Sequence, residues 1–250
     1  MDGIKKITEA FKSLKWYETL MCVIMLGISI YYAIQPQKGT PQWLAIINFF
    51  SGLCGIMCVF FCAKVNRMTW PFAVVNTIVY MIYLWYFGIW ATFWLEALIY
   101  MPTNIIGWSM WNKHKDQDDE LLAKAKKLSW WKHIIVIAAI VGLSVIVYFT
   151  LSALAGDTWM RFAVKYGWNT AVMKWLDSAI FSIGVIATFL QMLRYKEQYI
   201  WWLVTDVFTV AQYAIKRDAV YTTKKGIYLV EAIVGSINWH KLSKKNIDNE

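Results

Sequence analysis

The stretch Tyr199–Asp206, YIWWLVTD, decides the fold. An apolar and aromatic run leads without a break into a carboxylate and resumes beyond it as VFTVAQYAI. Read at helical spacing, Tyr199, Trp202, Asp206, Thr209 and Tyr213 follow i, i+3, i+7, i+10 and i+14. They form one aromatic and polar stripe on an otherwise aliphatic helix. Polar groups inside a membrane helix are costly and usually functional, so the acid marks a candidate site.

The rest of the chain supplies the membrane. Of its 250 residues 59% are hydrophobic and 16% charged, and the mean hydropathy is +0.43, more apolar surface than a soluble domain of this length needs. Crossing about 30 Å of hydrocarbon at about 1.5 Å per residue takes about 20 mostly apolar residues. Eight runs fit: Trp16–Ile34, Gln42–Ala63, Thr69–Phe87, Gly88–Trp111, His133–Ala155, Trp175–Leu193, Tyr199–Ile215 and Val220–Trp239. The expectation is an all-α integral membrane protein with about eight transmembrane helices.

With Lys224 and Lys225 counted to the loop before span eight, the 25 Lys and Arg divide into 17 on the side of both termini and 8 on the other. That bias puts both termini in the cytoplasm. The net charge of +9 is then a topology and membrane-surface signal, with the lipid bilayer as partner and no nucleic acid. Trp16–Ile34 is read as a retained helix, because YYAIQP offers no small-x-small cleavage site. Upstream, Ile4, Ile7, Phe11 and Leu14 oppose Lys5, Lys6, Lys12 and Lys15 in an amphipathic segment expected on the cytoplasmic surface.

The ends of spans four and eight resemble each other: NIIGWSMWNKHK (Asn104–Lys115) against AIVGSINWHKLS (Ala232–Ser243), pairing Gly107 with Gly235 and Trp111 with Trp239. Spans two to four and six to eight are therefore read as two parallel three-helix units, with span five restoring the orientation and a site expected between the units. Span three would then set Thr69, Phe72, Asn76, Val79 and Tyr83 against the stripe of span seven, with Asn76 facing Asp206. The charged stretch Lys113–Lys127 is expected to be a solvated connector.

The chemistry is narrow. Five acids, Glu18, Glu96, Asp177, Asp206 and Glu231, fall within spans or at their ends, while no Lys or Arg is expected in the span interiors. Such an interior suits a neutral or cationic ligand rather than a phosphorylated one, and excludes a retinal Schiff base. His114, His133 and His240 lie near the cytoplasmic border, and no phosphate loop is present, so neither an enzyme nor a bound cofactor is expected. Cys54, Cys58 and Cys62, one stripe of span two, are read as small apolar filler rather than soft-metal ligands. Pro102 frees a backbone carbonyl near Leu98, as either a hinge or a kink covered by packing.

Tyr199-x-x-Trp202-x-x-x-Asp206, with WPFAVVN ending at Asn76, NIIGWSMW at Asn104–Trp111 and Asp177-Ser178 in span six, resembles the W-x-x-W-x-x-x-N/D signature of the PnuC vitamin transporters from about residue 42 to 240. Two departures stand out: Tyr199 replaces the first Trp, and Thr188 stands where many relatives carry Gln. The resemblance implies a SWEET-like 3+1+3 fold and facilitated diffusion of nicotinamide riboside through a bacterial inner membrane. A cytoplasmic nicotinamide riboside kinase would then trap the substrate for NAD synthesis. It also implies a division into residues 1–41 (amphipathic segment and peripheral helix), 42–111 (first bundle), 112–174 (connector, linker helix and external loop), 175–240 (second bundle) and 241–250 (cytoplasmic tail). A homo-oligomer stays open.

The site expected on these grounds has Trp202 and Tyr199 stacking on the flat ring, Asp206 and Asn76 near its charge or carboxamide, and Asn104 and Thr188 on polar groups. Tyr213, Tyr83 and Phe72 complete the stripes. The competing expectation keeps the fold but couples transport to protons through Asp206 and Glu96, for thiamine, another vitamin or a sugar.

Overall fold

The computed structural model describes residues 15–36, 41–86, 90–115, 122–154, 169–215 and 219–248. Among them the chain forms eight helices. They are α1 Trp16–Ile34, α2 Gln42–Ala63, α3 Thr69–Tyr86, α4 in three successive pieces (Trp90–Leu95, a π-helical turn Glu96–Tyr100, Met101–Lys113), α5 Trp130–Leu154, α6 Thr170–Met192, α7 Gln198–Ile215 and α8 Ala219–Asp248. Among the described residues every expected apolar run is helical, and α8 continues to Asp248, through most of what the sequence suggests is the tail. The amphipathic segment before Lys15 and the loop after α5 lie outside the described residues.

By length and composition alone, four of the described helices can cross a membrane: Trp16–Ile34, Gln42–Ala63, Trp130–Thr150 and Lys174–Met192. Of the others, α4 is interrupted by its π-helical turn, and α3, α7 and α8 are diluted by polar and aromatic residues. Ile134, Ile137, Val141 and Phe149 of α5 and Val23 and Ile24 of α1 are exposed, whereas Thr77, Asn104, Ser182, Asp206 and Glu231 are buried. An apolar outside and a polar inside is how a chain solvated by lipid is built.

Helices α2, α3, α4, α6, α7 and α8 close a ring, each packing on the next and α8 returning to α2. Outside it, α1 lies against α2 and α5 against α6. The corners after α2 and α6 are alike. Val65 N–H donates to the Cys62 carbonyl at 2.9 Å and Asn66 N–H to that of Phe61 at 2.8 Å; Arg194 and Tyr195 repeat the pattern onto Gln191 and Leu190, both at 2.9 Å. This pair of bonds needs a left-handed residue, usually glycine. Val65 and Arg194 take φ of 58° and 68° instead, each buried by what packs over it.

What packs over them corrects the expectation of a solvated connector. From Leu122 onward the chain is an extended strap between the two corners: Ala123 N–H donates to the Val65 carbonyl at 3.1 Å, and Lys126 N–H to that of Arg194 at 2.8 Å. Arg194 Nη1 donates to the Lys124 carbonyl at 3.0 Å, and Leu128 N–H to Glu197 Oε2 at 3.0 Å. Ala123, Ala125 and Leu128 are buried. Ala123 and Ala125 alternate with Lys124 and Lys126, the period of a strand, which the density of charge hides in the sequence.

The π turn has a consequence for register. The Trp70 ring lies against Gly107 and the Tyr199 ring against Gly235, so close that a Cβ on either glycine would overlap the ring. Trp70 and Tyr199 are 129 positions apart, as are Trp90 and Ala219, which open α4 and α8; Gly107 and Gly235 are 128 apart. The extra residue falls between Trp90 and Gly107, where the Glu96–Tyr100 turn widens the helix and Met101 N–H reaches the Glu96 carbonyl. The positions of α3 that match Tyr199, Trp202 and Asp206 are thus Trp70, Ala73 and Thr77. The expected match with Thr69, Phe72 and Asn76 is one residue out, a rotation of about 100° on a helix of 3.6 residues per turn.

Candidate functional site

The ring encloses a cavity of about 270 Å³, and all six of its helices line it. Cys58, Val59 and Cys62 come from α2, Ala73, Asn76 and Thr77 from α3, and Glu96, Tyr100 and Asn104 from α4. Thr188 and Gln191 come from α6, Tyr199, Trp202 and Asp206 from α7, and Lys225, Tyr228 and Ala232 from α8. Each helix gives residues three or four apart, the face that α-helical periodicity turns inward.

The polar groups are held in place. Ser51 Oγ donates to Asn76 Oδ1 at 2.7 Å, which leaves the Asn76 NH2 as its group to offer a ligand. Asn104 Nδ2 donates to Thr77 Oγ1 at 3.1 Å, and Glu96 lines the cavity beside them. Thr188 Oγ1 is turned back onto the Gly184 carbonyl at 2.9 Å, so the amide that α6 brings to the cavity is that of Gln191, one turn on. Tyr199 donates its hydroxyl to Cys62 Sγ at 3.4 Å and packs 5.9 Å from Trp239. It is a buried wall of the cavity, fixed from behind by Gly235.

Of the expected residues, Asn76, Asn104, Thr188, Tyr199, Trp202 and Asp206 meet around the cavity. Phe72 and Tyr83 are not among the cavity-lining residues: Phe72 stacks on Phe61 at 5.4 Å and Tyr83 on Tyr80 at 6.1 Å. The one-residue register error explains both. The Tyr213 side chain lies outside the described residues, and Thr209 is buried with its hydroxyl on the Thr205 carbonyl at 2.6 Å. Cys58 and Cys62, expected as filler, form part of the wall.

The expectation of an interior without Lys or Arg is overturned. Lys225 belongs to α8 and not to the loop before it, lines the cavity, and sets its Nζ 3.9 Å from Asp206 Oδ1. Lys225, Tyr228 and Ala232, at i, i+3 and i+7, carry the spacing that singles out the stripe of α7. The same test on span eight would have found them, together with Tyr228 as a further aromatic group. Tyr100 and Glu96 sit where the π turn re-aims α4, beside Pro102, whose missing N–H disfavours a regular α-turn there.

What the arrangement can do is hold a small, flat, polar molecule. Trp202, Tyr100 and Tyr228 offer ring faces and edges, Asn76, Asn104 and Gln191 offer amides, and Asp206 and Lys225 offer one charge of each sign.

Known proteins resemble this chain over most of its length. The chain is 25% identical over 250 residues to the nicotinamide riboside transporter PnuC of Neisseria mucosa, covering 95% of this chain and 86% of that one. It is 27% identical over 227 residues to the protein of the same name from Haemophilus influenzae, covering 89% and 91%. It shares its fold with the chain described as the vitamin B3 transporter PnuC in a crystal structure, at a TM-score of 0.68, with 24% identity and 94% of each chain covered. Residues 45–241 match the model of the family described as nicotinamide mononucleotide transporter. The match spans most of the ring and every residue of the cavity, so this chain, a multi-pass membrane protein, belongs to the nicotinamide mononucleotide transporter family, the PnuC transporters that its signature resembles.

Proposed function

We propose that this protein carries nicotinamide riboside across a bacterial inner membrane by facilitated diffusion. The observation that carries the reading is the cavity itself, where Trp202 and Asp206 of one helix face Asn76 and Asn104 of two others. A pyridinium ring is flat and cationic, and stacking or cation–π attraction contributes about 0.5–2 kcal/mol per aromatic group out of water. The amides suit the carboxamide and the ribose hydroxyls. Two relatives named for the same substrate add to this reading.

In this reading Trp202 stacks on the ring, Tyr199 and Tyr228 bound it, Asp206 balances its charge, and Asn76, Asn104 and Gln191 bond its polar groups. Thr188 shapes the wall, and Phe72 and Tyr83 support the helices rather than touch the ligand. Helices α2–α4 and α6–α8 act as two parallel three-helix units joined through α5, in a 3+1+3 plan with α1 outside. The like corners at Val65 and Arg194, and the like ring-on-glycine contacts at Gly107 and Gly235, support that plan. Both termini face the cytoplasm, where a riboside kinase traps what enters.

The missing-cation argument no longer separates riboside from mononucleotide, because Lys225 lines the cavity. Competition does separate them. Against labelled nicotinamide riboside bound to the purified protein, unlabelled riboside competes, while the mononucleotide, thiamine and riboflavin do not. Competition by thiamine or riboflavin at equal strength would give the site to another vitamin.

A further inference from the structure

We infer that Lys225 is a specificity-determining residue of this cavity: a resident counter-ion of Asp206 that a cationic substrate must displace. The inference rests on the reading of the site as one for a pyridinium riboside. Asp206 is the carboxylate of α7 that lines the cavity, its side chain 7% exposed, and Lys225 Nζ lies 3.9 Å from its Oδ1. The same Nζ lies 5.3 Å from the centroid of the Tyr228 ring, so the ammonium is within reach of both the acid and an aromatic face. Those two groups are what a pyridinium would use. A cationic ring and an ammonium cannot both hold that place, since like charges a few ångströms apart in a poorly hydrated cavity repel strongly.

Lys225 is able to yield. Its side chain is 27% exposed, against 7% for Asp206, and a lysine stem of four methylenes lets the charge swing toward water while its carbons stay packed. Because α8 carries Lys225 and α7 carries Asp206, the pair also ties the two helices together, and binding that breaks it loosens one contact of the ring. The gain is charge balance. With Lys225 on Asp206 the carrier crosses its empty half-cycle with that acid compensated, and with the riboside there it crosses the loaded half-cycle with the same acid compensated.

The test is calorimetry on the purified full chain with three probes: nicotinamide riboside, its dihydro form with a neutral ring, and the mononucleotide. Lys225→Met is expected to tighten the riboside about tenfold, or about 1.4 kcal/mol, and to move the dihydro form by less than about twofold. In an Asp206→Asn background the same substitution is expected to lose most of that effect, because no ion pair remains to be broken. Lys225→Arg keeps a counter-ion on Asp206 and is therefore expected not to tighten the riboside as Lys225→Met does. In proteoliposomes, Lys225→Met slows net riboside uptake while sparing riboside–riboside exchange, which never uses the empty carrier. An equal effect of Lys225→Met on both ribosides, or weaker riboside binding, overturns the inference. So does loss of mononucleotide binding alone, which would make Lys225 a phosphate contact. Wild-type protein that binds neither riboside overturns the proposed function and this inference together; wild-type binding that Lys225→Met leaves unchanged overturns only the inference.

Discussion

The indole rings of Trp111 and Trp239 meet with centroids 5.5 Å apart at 62°, both fully buried, although Trp followed by basic residues is the pattern of an interfacial belt. Each indole also bonds to the neighbouring helix of the ring. Trp111 Nε1 donates to the Gln191 carbonyl of α6 at 3.1 Å, and Trp239 Nε1 to the Cys62 carbonyl of α2 at 2.8 Å. Helix α4 is thereby fastened to α6, and α8 to α2.

Trp239→Phe and Trp111→Phe keep most of the apolar contact and lose the bond, so each is expected to cost about 0.5–1.5 kcal/mol. Trp→Ala at either place is expected to cost about 3–5 kcal/mol. Thermal unfolding in detergent measures both. Near-equal losses at the two positions support equivalent roles, and a neutral Trp239→Ala contradicts them.

Gly235→Ala drives a methyl into the Tyr199 ring, and Gly107→Ala drives one into Trp70. Overpacking of this kind costs about 1–3 kcal/mol. Because Tyr199 is also a cavity wall, Gly235→Ala is expected to weaken riboside binding, and Gly107→Ala to affect stability more than binding. Gly142→Ala, with nothing within 4 Å of the added carbon, is the control and should be neutral or slightly stabilising. Gly235→Ala combined with Tyr199→Leu should recover part of the lost stability.

Glu18 on α1 is buried and pairs with Lys64 at the end of α2, Oε2 to Nζ 3.0 Å, while also accepting from Lys15 N–H at 2.6 Å. Lys64→Met leaves the acid without its ammonium. For a pair whose lysine is partly exposed the loss is expected at about 1–3 kcal/mol, below that of a fully buried pair. Adding Glu18→Gln should return part of it. Chemical unfolding of the single and double variants decides, and a Lys64→Met protein as stable as wild type refutes the role.

Asn169 caps α6 by accepting from Ala171 N–H at 2.9 Å and Val172 N–H at 3.4 Å. Asn169→Ala is expected to cost about 1 kcal/mol and Asn169→Asp or Ser almost nothing. Melting temperatures separate these outcomes.

Particular residues show what the sequence made legible. The helices were readable because lipid requires long apolar runs, and the inward stripe of α7 was readable because Trp202 and Asp206 interrupt such a run at helical spacing. Lys225 was not, because it lies in the first two turns of the expected span Val220–Trp239, where a lysine is readily counted with the loop, and only its place on the cavity shows otherwise. Phe72 and Tyr83 were misplaced because a π turn shifts register without any residue type that announces it, apart from the nearby Pro102. The strap at Ala123–Leu128 was hidden because its apolar residues are small and alternate with lysines, while its partners Val65 and Arg194 are remote in sequence.

The most direct test of the central claim is uptake of labelled nicotinamide riboside into proteoliposomes holding the purified protein, with no nucleotide and no ion gradient. Facilitated diffusion predicts that the internal concentration rises to the external one and stops, unchanged by an imposed pH gradient and reduced at least about tenfold by Trp202→Ala, the loss of about 1.4 kcal/mol of stacking. Accumulation above the external concentration under a pH gradient, or undiminished uptake by Trp202→Ala, would contradict it.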